Sequence, residues 1–273
     1  MFRRPAANVA AKAPAPALPD GPVDSAWFDV PVCRNCGAGC SSPYCAQCGQ
    51  KFTKRIVWRD VWRESWDRLR LFEMQSASTL CRLILTPGKV ARDYVLGRRT
   101  VYMHPLKLLV LLVATLVLIL SANGYFGTYA VKHDDVDRMA QRVMAYANWS
   151  FSLGIFAIFL GSLVGFRRRL DYNAIEHAVL AVYCQSIILG LVIINLLPTL
   201  IWRDAAFVLW HKTASQYYIP AAKLLIVGFA YKQFFLLDPK SDWARLLLAC
   251  VIYAAINWLL LRAYATAILW LVT

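Results

Sequence analysis

Long apolar segments separated by short charged stretches follow Pro105, and they constrain the fold of this chain more than any other feature. A bilayer offers no hydrogen-bond partners to a backbone, so such segments cross it as helices of about 20 residues. A hydrophobic content of 59% is also too high for an ordinary soluble fold. We therefore predict a mainly α-helical, polytopic membrane bundle of about five spans. The predicted spans run from about Pro105 to Ala122, Ala147 to Phe166, Ala174 to Ile201, Tyr218 to Leu237 and Trp243 to Arg262.

The sequence divides into four regions. Residues 1–30 are rich in Ala and Pro and predict a disordered tether. Residues 31–52 hold a cysteine cluster, residues 53–104 form a basic juxtamembrane region, and residues 105–273 form the membrane domain. Because the first residues contain no apolar run of signal-peptide length, we expect the first span to direct insertion.

Positive charge is concentrated next to the first predicted span. Lys51 through Lys107 contains thirteen Lys and Arg against five Asp and Glu, in a chain of formal net charge +14. Basic residues beside a span favour the cytoplasm and anionic lipid headgroups. Arg167 to Arg169 fall on the same side, which predicts a cytosolic N terminus and an outer C terminus. Nucleic acid is disfavoured as a partner because no recognition signature accompanies the charge.

Two C-x-x-C pairs lie within residues 31–52, and a glycine follows each pair. Cys33 and Cys36 form the first, and Cys45 and Cys48 form the second. Two tight turns can present four thiolates to one tetrahedral Zn²⁺, and four thiolates close the coordination sphere of a structural site. Disulfides require an oxidising compartment, which the basic belt disfavours, whereas iron stays open because it accepts the same ligands. Cys40 is interpreted as a spare thiol between the pairs.

A stripe of tryptophans follows the cysteine cluster at four-residue steps, which places these side chains on one face of a helix with arginines on the others. Tryptophan favours the headgroup boundary and arginine binds phosphates, so this helix is predicted to dock on anionic lipid. Packing against the protein itself is the alternative. The predicted headgroup contacts are Trp58, Trp62, Trp66, Arg59, Arg63 and Arg70.

The segments "CRNCG" and "YCAQCGQ", followed by "LTPGKVARDYVLGRRTVYMHP" and then a span, resemble the bacterial membrane family called domain of unknown function 3667. A weaker likeness extends to "YNAIEHAVLAVYCQS". The resemblance implies a zinc ribbon followed by membrane helices in a bacterial cytoplasmic membrane, and it implies no activity. Within the shared segment Pro87 and Gly88 are expected to separate two helices, with Lys89 to Leu96 forming the second, and Gly97 is expected to cap that helix. A phosphate loop is disfavoured because the glycine-rich motif is incomplete.

The predicted membrane domain carries a few groups that suggest close packing or function. Gly161 and Gly165 permit close helix approach, within the chain or between copies in a homo-oligomer. Glu176 and His177 could line an ion or substrate path. Alternatively, they could reach headgroups or pair with Arg167 to Arg169.

These features favour some classes of function over others. Motifs of zinc proteases, serine hydrolases and phosphate-loop enzymes are missing from the sequence, so we expect no enzyme. The favoured hypothesis is a membrane-anchored scaffold that presents its ribbon to a protein partner. The alternative is a transporter or channel that uses the polar groups of the bundle.

Overall fold

The computed structural model describes residues 15–59, 75–122 and 151–272. In these ranges every named element is a helix, and the β contacts are two isolated bridges, so the predicted mainly α class is confirmed. The helices are α1 (Ala26–Asp29), α2 (Gln75–Leu85), α3 (Pro87–Val95), α4 (Pro105–Ala122), α5 (Phe151–Phe166), α6 (Ala174–Ile201), α7 (Ala205–Phe234) and α8 (Trp243–Val272).

Three helices are long and apolar enough to cross a membrane. They are α4, α6 and the Trp243–Ala267 part of α8. The predicted second span corresponds to a shorter apolar helix, Leu153–Phe166, and residues 147–150 lie outside the described part of the chain. The predicted fourth span lies in α7 up to Phe234, where this helix ends three residues before Leu237. Helix α7 begins 13 residues before Tyr218 because Asp204 caps its first turn. Three spans by length and composition indicate a membrane protein, while the number five stays a prediction.

Helix α6 occupies the centre of the bundle and contacts α3, α4, α5 and α7. Its first half is buried on all sides, with Tyr183 among the largest buried side chains. On α4, only one stripe faces this core. Leucines at four-residue steps form that stripe, whereas Val110 and Leu118 on other faces are exposed. The buried stripe is Leu108, Leu112, Leu116 and Leu120.

Small residues bring α5 and α8 into close contact. A Cβ atom at Gly165 would lie 2.9 Å from the Cβ of Ala249, and one at Gly161 would lie 2.9 Å from the Tyr231 hydroxyl and 3.2 Å from the Cβ of Tyr253. Neither position has room for a side chain. The two glycines therefore serve close packing within the chain, the first of the two predicted uses.

The Pro-Gly pair, expected to lie between two helices, forms the first two residues of α3. Helix α3 begins at Pro87, two residues before the expected start, since proline is favoured at a first helical position. The Gln233 side-chain oxygen accepts from the Gly88 N–H at 3.0 Å, and a Cβ at Gly88 would lie 2.2 Å from the Ala230 carbonyl oxygen. Glycine is needed for close approach to α7. Because a side chain of the protein already caps this end, it offers no phosphate loop.

The part of the predicted tether that the structure describes packs against the bundle. Val23 and Phe28 are almost completely buried, and the Val23 N–H donates to the Leu170 carbonyl at 3.0 Å. The Arg98 guanidinium donates to the Pro16 carbonyl at 2.7 Å. This differs from the predicted disorder. The Ala and Pro composition suggested a tether, but two apolar side chains of this segment are buried in the core.

Candidate metal centre and its contact with the bundle

Two turns of the same geometry carry the two cysteine pairs. The Gly37 N–H donates to the Cys33 carbonyl at 2.9 Å, and the Gly49 N–H donates to the Cys45 carbonyl at 2.8 Å. The glycines have φ angles of 77° and 68°, a conformation that side chains disfavour. Each turn is therefore favoured by the glycine that follows its second cysteine.

The two turns are copies of one longer motif, twelve residues apart. We name them the first metal turn (residues 31–40) and the second metal turn (residues 43–52). An isolated bridge closes each of them, Val32 with Gly39 and Tyr44 with Lys51. Proline carbonyls accept at equivalent places, since Cys40 donates to Pro31 and Phe52 to Pro43, each at 2.8 Å. The repeated P-x-C-x-x-C-G was the sequence signal for this symmetry, and its prolines extend the repeat beyond the cysteines and glycines.

The four predicted ligands meet at one point. The Sγ atoms of Cys33, Cys36, Cys45 and Cys48 all lie within 4.8 Å of one another, with Cys33 to Cys48 and Cys36 to Cys45 at 3.5 Å. Zn–S bonds of about 2.3 Å in a tetrahedron place sulfurs about 3.8 Å apart. The cluster therefore fits a metal ion of this size, with two ligands from each metal turn.

The surroundings of the sulfurs also suit a bound cation. Backbone N–H groups of Cys48 and Gln47 lower the pKa of the Cys45 thiol to about 6, whereas burial raises the pKa of the Cys36 thiol to about 12. A divalent cation stabilises the thiolate form of all four cysteines, including Cys36, whose thiol burial alone would keep protonated. Cys40 lies outside the four-sulfur cluster and its thiol faces the Ala38 carbonyl at 3.7 Å, as expected for a spare thiol.

The first metal turn is fastened to the rest of the protein through a buried arginine. The Arg34 guanidinium lies 4.1 Å from the centre of the Trp27 ring and donates to the Trp27 carbonyl. The Trp27 indole N–H donates to the Leu96 carbonyl at 3.3 Å, and the Arg98 side chain donates to the Arg34 carbonyl at 3.3 Å. Cation–π contact and paired carbonyls compensate the burial of this charge.

The second metal turn is fastened through Gln50. This side chain is 3% exposed, donates to the Gly97 carbonyl at 2.8 Å and accepts from the Thr100 hydroxyl at 2.9 Å. Gly97 has a φ of 107°, and a Cβ there would lie 2.6 Å from the Thr53 hydroxyl and 3.0 Å from the Arg34 side chain. The predicted capping glycine of α3 therefore also makes room for the ribbon.

Glu176 connects the end of the ribbon to the start of α6. It is fully buried, and its two carboxylate oxygens accept from the Arg55 guanidinium at 3.0 Å each. The same carboxylate accepts from the Asn173 N–H at 2.7 Å, while the Asn173 side chain accepts from the Glu176 N–H, which completes a capping box. The predicted pairing with Arg167 to Arg169 is wrong. Sequence reasoning missed Arg55, because no spacing rule connects residues 121 positions apart.

His177, the neighbour of Glu176, faces another way. Its Nδ1 lies 3.0 Å from the Ser162 hydroxyl on α5, and its ring lies 5.3 Å from that of Phe235. Nε2 has no hydrogen-bond partner among the residues that the structure describes. The two predicted intramembrane groups thus serve different contacts, and the structure does not bring them into one site.

Most of the predicted headgroup contacts lie outside the described residues, namely Trp62, Trp66, Arg63 and Arg70. Trp58 is 66% exposed and Arg59 is also exposed, so both are open to the surroundings of the protein. The lipid-docking role of this stripe stays a prediction.

The comparison with known families matches residues 77–117 to the family described as "Protein of unknown function (DUF3667)". The match covers most of α2, all of α3 and the first part of α4, and it confirms the resemblance predicted from the sequence. It does not include the cysteine cluster, so the metal centre depends on its own geometry. No curated protein and no solved structure matches the chain.

Proposed function

We propose that this chain is a membrane-anchored scaffold of a bacterial cytoplasmic membrane, which holds a zinc ribbon in a fixed orientation and uses it to bind a protein partner. The observation that carries this proposal is the ion pair between Arg55 and the fully buried Glu176. It fastens the segment that follows the ribbon to the first turn of a membrane-length helix. A ribbon on a loose tether would require no such contact.

Five spans with a cytosolic ribbon fit the directions of the helices. The start of α6 lies at the ribbon through Arg55 and Glu176, and Thr100 shortly before α4 contacts Gln50. The Arg169 side chain between α5 and α6 contacts Phe235 after α7 and Asp242 before α8, so α5 and α7 end, and α8 starts, at this same end. Alternating directions of five helices support an outer C terminus. Basic Arg167 to Arg169 lie at the ribbon end, which supports the cytosolic side.

The exposed part of the second metal turn is the surface we assign to the partner. Tyr44 is 52% exposed, and Ala46, Gln47 and Gly49 beside it are also exposed. A closed set of four thiolates leaves no metal position for water or substrate, which supports binding over catalysis. An exposed tyrosine next to a rigid turn is typical of a protein contact.

A photo-reactive amino acid at Gln47 in the full chain tests this proposal in cells. We expect one defined protein adduct that disappears after Cys45→Ser and weakens after Glu176→Gln, which leaves the ligands intact but loosens the ribbon. The matched control places the same amino acid at Lys240, which is exposed between α7 and α8 at the ribbon end of the bundle. Absence of an adduct from Gln47 would contradict the scaffold proposal. Solute flux through the reconstituted protein would favour a transporter instead.

A further inference from the structure

A cavity of about 530 Å³ opens where α5 ends and α8 begins, at the same end of the bundle as the metal centre. We call it the arginine pocket. Arg168, Arg169 and Arg245 contribute to its lining together with the apolar side chains of Phe166 and Leu236. Cations and apolar groups that share one cavity beside membrane-length helices are suited to a ligand that has both a charge and a hydrocarbon part.

The three arginines have different roles in the arginine pocket. Arg169 is held in place, because it donates to the Phe235 and Leu236 carbonyls and to the Asp242 carboxylate at 3.0 to 3.1 Å. Arg168 is exposed and has no acidic partner among the described residues. Arg245 is 68% exposed and lies 3.7 Å from Asp242, a distance of weak pairing. The guanidinium groups of Arg168 and Arg245 are therefore exposed, whereas that of Arg169 is fixed by its hydrogen bonds.

The charges of the arginine pocket suit one anion. Asp20 lines the cavity and Asp242 pairs with the fixed Arg169, so two negative charges stand against three positive ones. The remaining charge of +1 matches a phosphodiester, which carries a single negative charge. Guanidinium groups also bind phosphate oxygens in pairs, which gives them an advantage over a point charge.

Exposed apolar side chains lie close in sequence to the arginines of the pocket. Val164 on α5 is 64% exposed, and Trp243, Leu247 and Leu248 at the start of α8 are 61%, 57% and 57% exposed. Leu248 follows Arg245 by about one turn, whereas Trp243 and Leu247 lie on the opposite face of α8. Tryptophan at this level is typical of the headgroup boundary, and the aliphatic residues beyond it suit acyl chains.

The backbone around the arginine pocket is strained in two separate places. Leu170 and Leu236 have φ angles of 59° and 50°, which side-chain-bearing residues rarely adopt, and both line the cavity. Such conformations persist where the surrounding structure requires them, and they are frequent at ligand sites. Both strained residues contact or adjoin Arg169, so the strain accompanies the placement of that guanidinium.

From these observations we propose that the arginine pocket binds an anionic phospholipid, with its phosphodiester against Arg168 and Arg245 and its acyl chains along α5 and α8. A zwitterionic lipid would bring a choline cation toward the arginines and bind less well. The inference depends on the membrane placement of the bundle and not on the ribbon partner.

Native mass spectrometry of the full chain in detergent, titrated with phosphatidylglycerol, tests the proposal. We expect one tight lipid per chain and roughly fivefold weaker binding for Arg168→Gln or Arg245→Gln, since each removes one charge near the headgroup. Both side chains are exposed, so these variants should fold. Arg262→Gln is the matched control, because Arg262 is on the same helix but stacks on Trp258 instead of lining the pocket.

Three outcomes would overturn the proposal. One is unchanged affinity in both variants, and another is an equal loss for Arg262→Gln, which would indicate general charge attraction. The third is equal competition by soluble glycerol 3-phosphate, which would indicate a site for free phosphate esters. The protein adduct at Gln47 should persist in Arg168→Gln, so failure of the lipid site and failure of the scaffold proposal are distinguishable.

Discussion

The first and second metal turns have the same backbone but different surroundings. Both close on a glycine with a positive φ angle, and both supply two sulfurs to the same cluster. Yet Arg34 in the first turn is 4% exposed, whereas Tyr44 in the second is 52% exposed. Most of the first turn is buried or half-buried, whereas most of the second turn is exposed.

This difference separates two physical causes. Local sequence, through P-x-C-x-x-C-G, is sufficient to form each turn, because its hydrogen bonds and its glycine lie within ten residues. Burial is decided by segments outside the turns, namely Trp27 just before the first turn and the distant region around Gly97. We therefore expect loss of a cysteine to abolish metal binding equally in the two turns. Substitutions that contact the rest of the protein should lower stability more than substitutions at exposed positions.

The largest expected effect is loss of zinc, and it tests whether both turns are equally needed to bind the metal. Cys36→Ser in the first turn and Cys48→Ser in the second should both abolish stoichiometric zinc, since metal binding supplies on the order of 10 kcal/mol to the folding of such modules. Elemental analysis of protein purified without chelator measures this. Cys40→Ser is the control and should retain the metal; retention by only one of the two ligand variants would show that the turns are not equivalent.

The next effect concerns the attachment of the ribbon beyond the second turn. Arg55→Ala leaves the fully buried Glu176 carboxylate without its partner, which should destabilise the docked ribbon by about 3 kcal/mol. Limited proteolysis in detergent should then cut near residues 52–58 faster than in the parent. Lys54→Ala, an exposed neighbour, is the control. Equal protection of the Arg55 and Lys54 variants would show that the ion pair does not hold the ribbon.

A smaller effect tests the covered side of the first turn. Gly97→Ala introduces a Cβ at a φ of 107° and 2.6 Å from the Thr53 hydroxyl, so we expect a loss of about 1 to 3 kcal/mol. Gly39→Ala, in the first turn but with open space around it, should change stability little. Thermal unfolding of the zinc-loaded protein compares them. A loss of the same size at both positions would remove the distinction between local and distant contacts.

The smallest effect sharpens the comparison inside the second turn. Gln50→Ala removes hydrogen bonds to Gly97 and Thr100 and should cost about 1 to 2 kcal/mol. Gln47→Ala, exposed in the same turn, should leave thermal stability unchanged. If the two glutamine variants unfold alike, the second turn is free of the bundle and Gln50 does not fasten it.

The order of predictability follows the distance over which each interaction acts. The four-cysteine cluster was predictable because glycine and thiol spacing acts within one turn, and the apolar helices because each satisfies its own backbone. The packing of Val23 was not, since a single valine in an Ala and Pro segment has no periodicity. The partner of Glu176 was predicted among nearby arginines and lies instead at Arg55, a choice that depends on how the ribbon docks.

By itself, the sequence determined the four cysteines that could hold a metal ion, the helical class and the presence of apolar segments long enough to cross a membrane. Only the tertiary structure decided that the ribbon is fastened to α6 by Arg55, that its second turn faces outward and that three arginines line one cavity. The physical reason is the distance along the chain over which each interaction acts. Turn closure and backbone hydrogen bonding in a membrane are local, whereas burial and ion pairing depend on which distant segments the folded chain brings together.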